Sequence, residues 1–261
     1  MTRRQRYLRA YARLREIEGR GSGGETELLA LPHLTSGPLA GQWEVRARTF
    51  DAFVAEVLEG RQGLEVLDLG AGNGWLCHRL ALLGHRGTAV DLRLDAVDGL
   101  GAAAPFTRHL SRMFPRVAAS FEALPFRAGR FDLALFNASL HYAESLDAVL
   151  LEAARTVKSG GTLAILDSPF YRAAADGKAM LAEKERSTRA RFPELADDLL
   201  APRFVEYFTP ESLDEAARPL GLAFRCHRVG YPEWYECREE EARRRGERAP
   251  SRFDLWLSAV P

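Results

Sequence analysis

The stretch EVLDLGAGNGWL, from Glu65 to Leu76, places three glycines within five positions directly after a short apolar run. The apolar run predicts a buried strand, and the following WLCHRLALLG predicts a helix. Gly70, Gly72 and Gly74 therefore occupy the turn between them. Because glycine lacks a Cβ atom, such a turn can adopt positive φ angles and lets a ligand approach the backbone closely. The stretch predicts a strand–turn–helix unit that holds a flat, extended small molecule.

Strand and helix patterns alternate from this unit almost to the end of the chain. GTAVDL, RVAASF, FDLALFN and GTLAILD predict further strands, while SLDAVLLEAARTVK and the segments 95–104 and 106–113 predict helices. LAFRCHRVG and RFDLWLSAV predict the last two strands, whose short connection favours antiparallel pairing. Strands separated by helices pair in parallel through right-handed crossovers. The predicted fold class is α/β, with a Rossmann-like, doubly wound, seven-stranded and mostly parallel sheet whose last strand is antiparallel.

The remaining segments predict additions to this core. The breaker GRGSGG is expected to be a mobile link between helices over 3–20 and 43–59. The predicted parts of the chain are an N-terminal helical segment (1–60), a cofactor-binding core (61–168), an inserted substrate cap (169–208) and a C-terminal completion of the sheet (209–261). In the last part, Thr209 and Pro210 predict a helix start. The first and third parts are expected to form a lid that selects the substrate.

Composition restricts the classes of function. Lys and Arg total 36 and Asp and Glu total 36, so there is no net charge to attract nucleic acid or an anionic membrane. The three cysteines form no CxxC pair and lack histidines at zinc spacing, which argues against a structural metal. No apolar run reaches the length of a membrane span. These features predict a cytoplasmic protein that contacts neither membrane nor nucleic acid, and they leave its oligomeric state open.

Two acidic residues specify the ligand further. A dinucleotide-binding GxGxxG motif requires glycine at position 75, where this sequence has Trp75. Asp68 lies two residues before the first glycine, and a carboxylate there suits an ammonium group better than a phosphate. Asp91 ends the second predicted strand about 20 residues later, a separation at which a carboxylate can accept hydrogen bonds from both ribose hydroxyls.

Four blocks in this order, VLDLGAGNG, AVDL, ALPFRAGRFDLALFNASLHY and VKSGGTLAILD, resemble the class I S-adenosylmethionine-dependent methyltransferases, most closely the broad group with an LPF…FD block. The resemblance covers roughly residues 64–167 and implies S-adenosylmethionine as cofactor. The cofactor-binding residues that it implies are Asp68, Gly70, Ala71, Gly72, Asn73, Gly74, Asp91, Leu92, Ser120, Phe121 and Asn137.

The resemblance also implies a role for several of these residues. Asp68 and the glycine turn would contact the methionine part, Asp91 the ribose and Leu92 the adenine, while Asn137 would line the reactive end. Ser120 stands where this group usually has an aspartate that meets the adenine amino group. The Ser120 hydroxyl could accept one hydrogen bond from this amino group instead, or the Glu122 carboxylate could accept it.

The acceptor side is less specified. His141, beyond the fourth strand, is the candidate general base, with packing or substrate contact as the alternatives. Trp43, Tyr142 and Tyr171 are candidate substrate-binding residues in an aromatic rim, although Trp43 also fits a core position. Asp167 is the one acidic residue placed like a metal ligand, so no catalytic metal is predicted.

The missing motifs favour a small acceptor. The NASL run replaces the (N/D)PP(Y/F/W) signature of enzymes that methylate exocyclic or amide nitrogen, and no cysteine is placed for cytosine C5 methylation. The prediction is methyl transfer to an oxygen or nitrogen of a small molecule. Three alternatives stay open: an RNA methyltransferase that uses the basic N-terminal helix, a nicotinamide-dependent oxidoreductase, and a cofactor-binding protein without catalysis.

Overall fold

A seven-stranded sheet forms the centre of the computed structural model, which describes residues 1–20 and 24–261. Its strands are β1 (Glu65–Leu69), β2 (Arg86–Asp91), β3 (Arg116–Ala118), β4 (Phe131–Asn137), β5 (Val157–Leu166), β6 (Arg225–His227) and β7 (Leu255–Ala259). Their spatial order is β3-β2-β1-β4-β5-β7-β6. Strands β1 to β5 are parallel, and β7 is antiparallel to both β5 and β6. The predicted fold class is confirmed.

Helices cover both faces of this sheet. The α-helices of the described residues are α1 (Arg3–Ile17), α2 (Gly24–Ala30), α3 (Ala40–Phe53), α4 (Trp75–Leu82), α5 (Leu146–Thr156), α6 (Ala174–Arg191), α7 (Ala196–Leu199), α8 (Pro210–Ala217), α9 (Glu233–Glu236) and α10 (Arg238–Arg245). Buried side chains alternate between two apolar clusters: Val66 of β1 belongs to one and Leu67 to the other. Because both faces are buried, the central strands are apolar throughout.

The order of the strands decides where a ligand can bind. β1 pairs with β2 on one side and with β4 on the other, so the chain reverses its direction of winding at β1. Ligands of open α/β sheets bind at this reversal, beyond the carboxyl ends of the strands. The glycine turn that follows β1 lies at this position.

The structure corrects several predicted boundaries. In place of two helices over 95–104 and 106–113 there is one 3-10 helix, Leu100–Arg108. It begins late because the Asp95 carboxylate accepts hydrogen bonds from the backbone N–H groups of residues 97–99 in a loop. Helix α5 ends at Thr156, since the next two residues already belong to β5. Helix α2 was not predicted, and α3 continues as a π-helix, Val54–Leu58. Residues 21–23 of the predicted GRGSGG link lie outside the described residues.

The predicted start of α8 is confirmed. The Thr209 hydroxyl accepts a hydrogen bond from the Ser212 N–H at 3.2 Å, and the Ser212 hydroxyl accepts one from the Thr209 N–H at 2.9 Å. This reciprocal capping box satisfies two backbone donors that the helix leaves unpaired.

Helix α1 and the segment after β5 meet above the glycine turn. Arg6 of α1 forms a salt bridge with Asp198 of α7 at 3.1 Å, and the Tyr7 ring packs edge-on against Phe204 with centroids 5.1 Å apart. Together these elements form a roof over the carboxyl edge of β1, β2 and β4, and the name roof is used below for α1 with residues 196–204.

Candidate functional site

A cavity of about 430 Å³ lies between the roof and the carboxyl ends of β1, β2 and β4. Most of the predicted cofactor residues line it, namely Asp68, Gly70, Ala71, Gly72, Asn73, Asp91, Leu92, Ser120, Phe121 and Asn137. Gly74 does not line the cavity, since it caps α4 behind the turn and faces Phe114. We call this space the turn cavity.

Asp68 is the most unusual charged group in the turn cavity. Its side chain is 1% exposed, and in the described part of the chain its Oδ1 has no hydrogen-bond partner. Its Oδ2 accepts only a weak bond from the Cys77 thiol, at 3.7 Å. Burial, with a smaller contribution from Asp91, raises the pKa of Asp68 to about 7. A buried carboxylate without a partner is costly, so this position favours a cationic ligand.

Asp91 is held by the turn that it faces. Its Oδ2 accepts a hydrogen bond from the Gly72 N–H and its Oδ1 accepts one from the Arg93 N–H, both at 2.8 Å. Burial raises the pKa of this carboxyl, and the two backbone donors oppose that shift. Each oxygen keeps a lone pair for a further donor, which is what binding a pair of neighbouring hydroxyls requires.

Gly70 makes room for the Ser139 side chain. Its φ is +77°, and a Cβ atom added there would lie 2.4 Å from the Ser139 Cβ atom. The Ser139 hydroxyl in turn donates a hydrogen bond to the Leu69 carbonyl. Glycine at this position therefore serves the packing between the β1 turn and the loop after β4.

We expect Gly70→Ala to lower the free energy of unfolding by about 3 kcal/mol, because backbone strain and a clash with Ser139 add. Gly160→Ala is the matched control: its φ is +74°, yet no atom lies within 4 Å of the added Cβ. Strain alone should cost about 1 kcal/mol there. Urea unfolding of both variants measures the difference, and equal losses would contradict the close packing at Gly70.

The predicted adenine end and the predicted reactive end of the turn cavity differ in their polar groups. The Ser120 hydroxyl accepts from the Glu122 N–H at 3.3 Å and still faces the cavity. Glu122 also lines the cavity, but its Oε1 accepts from the Glu144 and Ser145 N–H groups at 2.7 and 3.3 Å. At the end of β4, the Asn137 Oδ1 is buried and has no partner among the described residues.

Sequence analysis predicted a lid from the N-terminal segment, but it named no residue of α1 among the candidate site residues. It offered the basic helix only as an RNA-binding alternative, whereas Tyr7, Tyr11 and Arg15 line the turn cavity. The Tyr11 hydroxyl lies 2.7 Å from that of Tyr142, and the Arg15 guanidinium stacks over the Tyr11 ring at 4.5 Å. The signal was available, because positions 7, 11 and 15 share one helix face.

His141 lies in a second cavity of about 320 Å³, which we call the arginine cavity. Burial foremost, and then Lys184, Arg15 and Arg46, lower the pKa of His141 to about 3. Its Nδ1 is buried without a partner in residues 1–20 and 24–261. The imidazole is therefore neutral at neutral pH and can accept a proton, although only weakly.

The three aromatic residues that were predicted to bind substrate lie in different parts of the structure. Tyr142 lines both cavities, and Trp43 lines the turn cavity while packing edge-on against Trp75 with centroids 5.7 Å apart. The structure does not bring Tyr171 into this rim. Its ring packs against Tyr207, with Arg248 above it, because the chain turns away from the cavities after β5.

The fold and the turn cavity define the class I S-adenosylmethionine-dependent methyltransferase architecture. Residues 67–165 match the family model described as "Methyltransferase domain". The predicted resemblance is confirmed, and this segment, which contains β1 through most of β5, is a methyltransferase domain.

Curated relatives match this domain and not the whole chain. A ubiquinone/menaquinone biosynthesis C-methyltransferase of Rhizobium johnstonii is 33% identical over 108 residues, which cover 40% of this chain and 42% of that protein. A malonyl-[acyl-carrier protein] O-methyltransferase of Legionella pneumophila is 30% identical over 122 residues, covering 47% and 41%. The match thus spans less than half the length of either relative.

Solved structures share the fold over more of the chain. The YcgJ protein of Bacillus subtilis aligns with a TM-score of 0.58 and 15% identity, covering 82% of this chain and 98% of that one. A Burkholderia thailandensis 1,6-didemethyltoxoflavin-N1-methyltransferase was solved with bound 1,6-didemethyltoxoflavin and S-adenosylhomocysteine. It aligns with a TM-score of 0.56 and 18% identity, covering 95% of this chain and 87% of that one. Among the described residues of our protein, no helix is long and apolar enough to cross a membrane.

Proposed function

We propose that the protein is a methyltransferase that uses S-adenosylmethionine to methylate an oxygen or nitrogen of a small molecule. The observation that carries the proposal is Asp68, a buried carboxyl that has no counter-charge among the described residues and faces the same cavity as Asp91. The cofactor has an α-ammonium group and a ribose diol, which match these two carboxylates. A ligand with a pyrophosphate would instead bring negative charge towards both.

Each part of the turn cavity then has a role in holding the cofactor. Asp68 would bind the ammonium group, Asp91 the ribose hydroxyls, and Ser120 with Phe121 the adenine side. When bound, S-adenosylmethionine supplies an electrophilic methyl group and leaves with the electron pair of the broken carbon–sulfur bond. The roof would exclude water, and Asn137 at the end of β4 would line the reactive end.

On the acceptor side, His141 is the proposed proton acceptor. It is neutral, and it lies beside Tyr142, which lines both cavities, with ring centroids 4.2 Å apart. Its low pKa makes it a weak base, so the acceptor would transfer its proton to His141 only as the new bond forms. The names of several relatives describe methylation of carbon, among them the Rhizobium johnstonii protein and a sterol 4-C-methyltransferase of Caenorhabditis elegans. A carbon acceptor is therefore the alternative outcome of an acceptor screen.

The geometry of α1 supports a small acceptor over RNA. Its arginines are largely paired: Arg4 with Glu144 at 3.1 Å, Arg6 with Asp198 at 3.1 Å, and Arg13 with Glu16 at 2.8 Å. The tyrosines that would stack on bases point into the turn cavity instead. An RNA enzyme would show salt-sensitive RNA binding that disappears when the first 20 residues are removed.

Calorimetric titration of the purified protein tests the cofactor. We expect binding of S-adenosylmethionine and S-adenosylhomocysteine and none of NAD, because the carboxyls of Asp68 and Asp91 face the turn cavity and the glycine turn lacks the phosphate-binding GxGxxG motif. Binding of NAD alone would favour the oxidoreductase alternative. Binding of both sulfur ligands without turnover of any acceptor in a broad screen would favour a protein that binds the cofactor without catalysis.

A further inference from the structure

We infer that the acceptor carries an anionic group, a carboxylate or a phosphate, which the arginine cavity binds beside the methyl-transfer site. This inference rests on the proposed function and specifies the substrate class of that site. Four arginines, Arg15, Arg20, Arg46 and Arg238, line the cavity, and Asp167 is the only acidic residue among those that line it in the described chain. The whole molecule has no net charge, so this excess of positive charge is local.

The arginine cavity is placed to hold an acceptor. It shares Ala138 and Tyr142 with the turn cavity, and Ala138 directly follows Asn137 at the carboxyl end of β4. A molecule in the arginine cavity can therefore reach the end of β4, where the reactive end of the cofactor is proposed to lie.

Three of the four arginines have no carboxylate partner within residues 1–20 and 24–261. Arg20 donates to the Gln42 side-chain oxygen at 2.5 Å, and Arg238 donates to the Tyr235 and Ser251 carbonyls at 3.1 and 2.9 Å. Arg46 stacks over the Trp43 ring at 4.9 Å, and no described residue accepts a hydrogen bond from it. These cations thus keep donors for an external anion.

Arg20 is the clearest sign of a built site. It is 8% exposed, and its buried Nε has no acceptor in the described residues. Burial, followed by repulsion from Arg46 and Arg15, lowers the pKa of Arg20 to about 10. A buried guanidinium that is repelled by two others is unfavourable unless an anion joins them.

Asp167 does not neutralise this cluster. Its Oδ1 is buried and unpaired within the described chain, and no salt bridge within 4.0 Å joins it to any of the four arginines. Burial raises the pKa of Asp167 to about 6, against the attraction of Arg46. The Asp167 carboxyl therefore stays available for a hydrogen bond to the acceptor, while the arginines bind the anionic group of the acceptor.

The cofactor's own carboxylate is the competing explanation, because Arg15, Arg20 and Arg46 line the turn cavity as well. One carboxylate cannot occupy all of them, and Arg238 lines only the arginine cavity. The two explanations differ in whether a second anion binds once the cofactor site is full.

The test uses the full chain saturated with S-adenosylhomocysteine and titrated with benzoate, inorganic phosphate and the neutral benzamide. We expect one of the two anions to bind and benzamide to bind at least 10-fold more weakly. Arg238→Gln, which removes the one arginine that lines only the arginine cavity, should weaken anion binding about 10- to 100-fold, the loss of one charge-assisted hydrogen bond. It should change S-adenosylhomocysteine affinity less than 3-fold. Arg48→Gln, the substitution of an exposed arginine of α3, is the control and should change neither affinity.

Several results would overturn the inference. They are no anion binding at tens of millimolar, equal binding of benzoate and benzamide, or an Arg238→Gln variant that loses S-adenosylhomocysteine affinity and keeps its anion affinity. If benzoate binds more tightly than inorganic phosphate, the recognised group is a carboxylate, and if phosphate binds more tightly, it is a phosphate. If S-adenosylhomocysteine itself does not bind, the proposed function fails, and the same anion titrations on the ligand-free protein still test the arginine cavity.

Discussion

Asp68→Asn should weaken S-adenosylmethionine binding about 30- to 150-fold, since a hydrogen-bonded contact to a charged group contributes about 2 to 3 kcal/mol. The Asp68 Oδ1 has no partner in the described protein, so the cofactor ammonium group would be its main counter-charge. Asp132→Asn is the matched control, because Asp132 lies near the amino-terminal end of β4, away from the turn cavity, and pairs with Lys158. Calorimetry of both variants measures the contrast, and equal losses would exclude Asp68 as the ammonium site.

The same substitution should stabilise the ligand-free protein. Asp68 has a pKa of about 7 in the folded state against an ordinary 3.8, so between these values the folded state binds more protons than the unfolded state. Its contribution to stability is therefore present below pH 4 and lost as the pH rises through 7. A shift of about 3 pKa units corresponds to at most about 4 kcal/mol.

Urea unfolding at pH 5 and pH 8 measures this effect. We expect the wild type to lose stability over this interval by more than Asp68→Asn does, and the variant to be the more stable protein at pH 8. Added S-adenosylmethionine should narrow this difference at pH 8 by up to about 2 to 3 kcal/mol, because it binds the folded wild type more tightly than the folded variant. A variant that is less stable than the wild type at pH 8 without ligand would contradict the unpaired buried charge.

Asp91→Ala should weaken S-adenosylhomocysteine binding about 100-fold or more. Two effects combine: the ribose hydroxyls lose their acceptor, and the Gly72 N–H loses the carboxylate that holds the turn at 2.8 Å. Binding measured by calorimetry gives the total loss. An unchanged affinity would show that the ribose site is placed wrongly.

A cofactor analogue separates the two effects of Asp91. S-adenosylhomocysteine without its two ribose hydroxyls should bind the wild type much more weakly than the parent compound. Against Asp91→Ala the two compounds should bind alike, because the variant has no carboxylate for the hydroxyls to contact. If the analogue loses equal affinity with both proteins, Asp91 acts only by holding the turn.

Sequence patterns predicted the sheet and the turn cavity because both depend on local signals. Alternation of apolar runs with helical periodicity identified the strands, and the spacing of Asp68, Gly70 and Asp91 placed them at one edge of the sheet. The failures at 95–113 also have a local cause. The Asp95 carboxylate satisfies loop N–H groups that a helix would have used, and a periodicity pattern does not report such bonds.

The roof and the arginine cavity depend on contacts between distant parts of the chain. Tyr11 meets Tyr142 across 131 residues, and Arg6 meets Asp198 across 192. No periodicity or spacing within a short window encodes such a pairing. Tyr171 is a residue that sequence analysis wrongly placed at the site. Its position shortly after β5 led to its prediction as a substrate contact, but its ring packs against Tyr207 and Arg248 instead.

The amino-acid sequence by itself determined the fold class, the glycine turn and the two carboxylates, because hydrogen bonding and side-chain periodicity act over a few residues. Only the tertiary structure decided which side chains close the site and which charges stay unpaired. That outcome depends on how α1, α3 and the segment after β5 pack on the carboxyl edge of the sheet. Burial is the largest cause of the pKa shifts of Asp68, His141 and Arg20, and burial is a property of the whole packed chain.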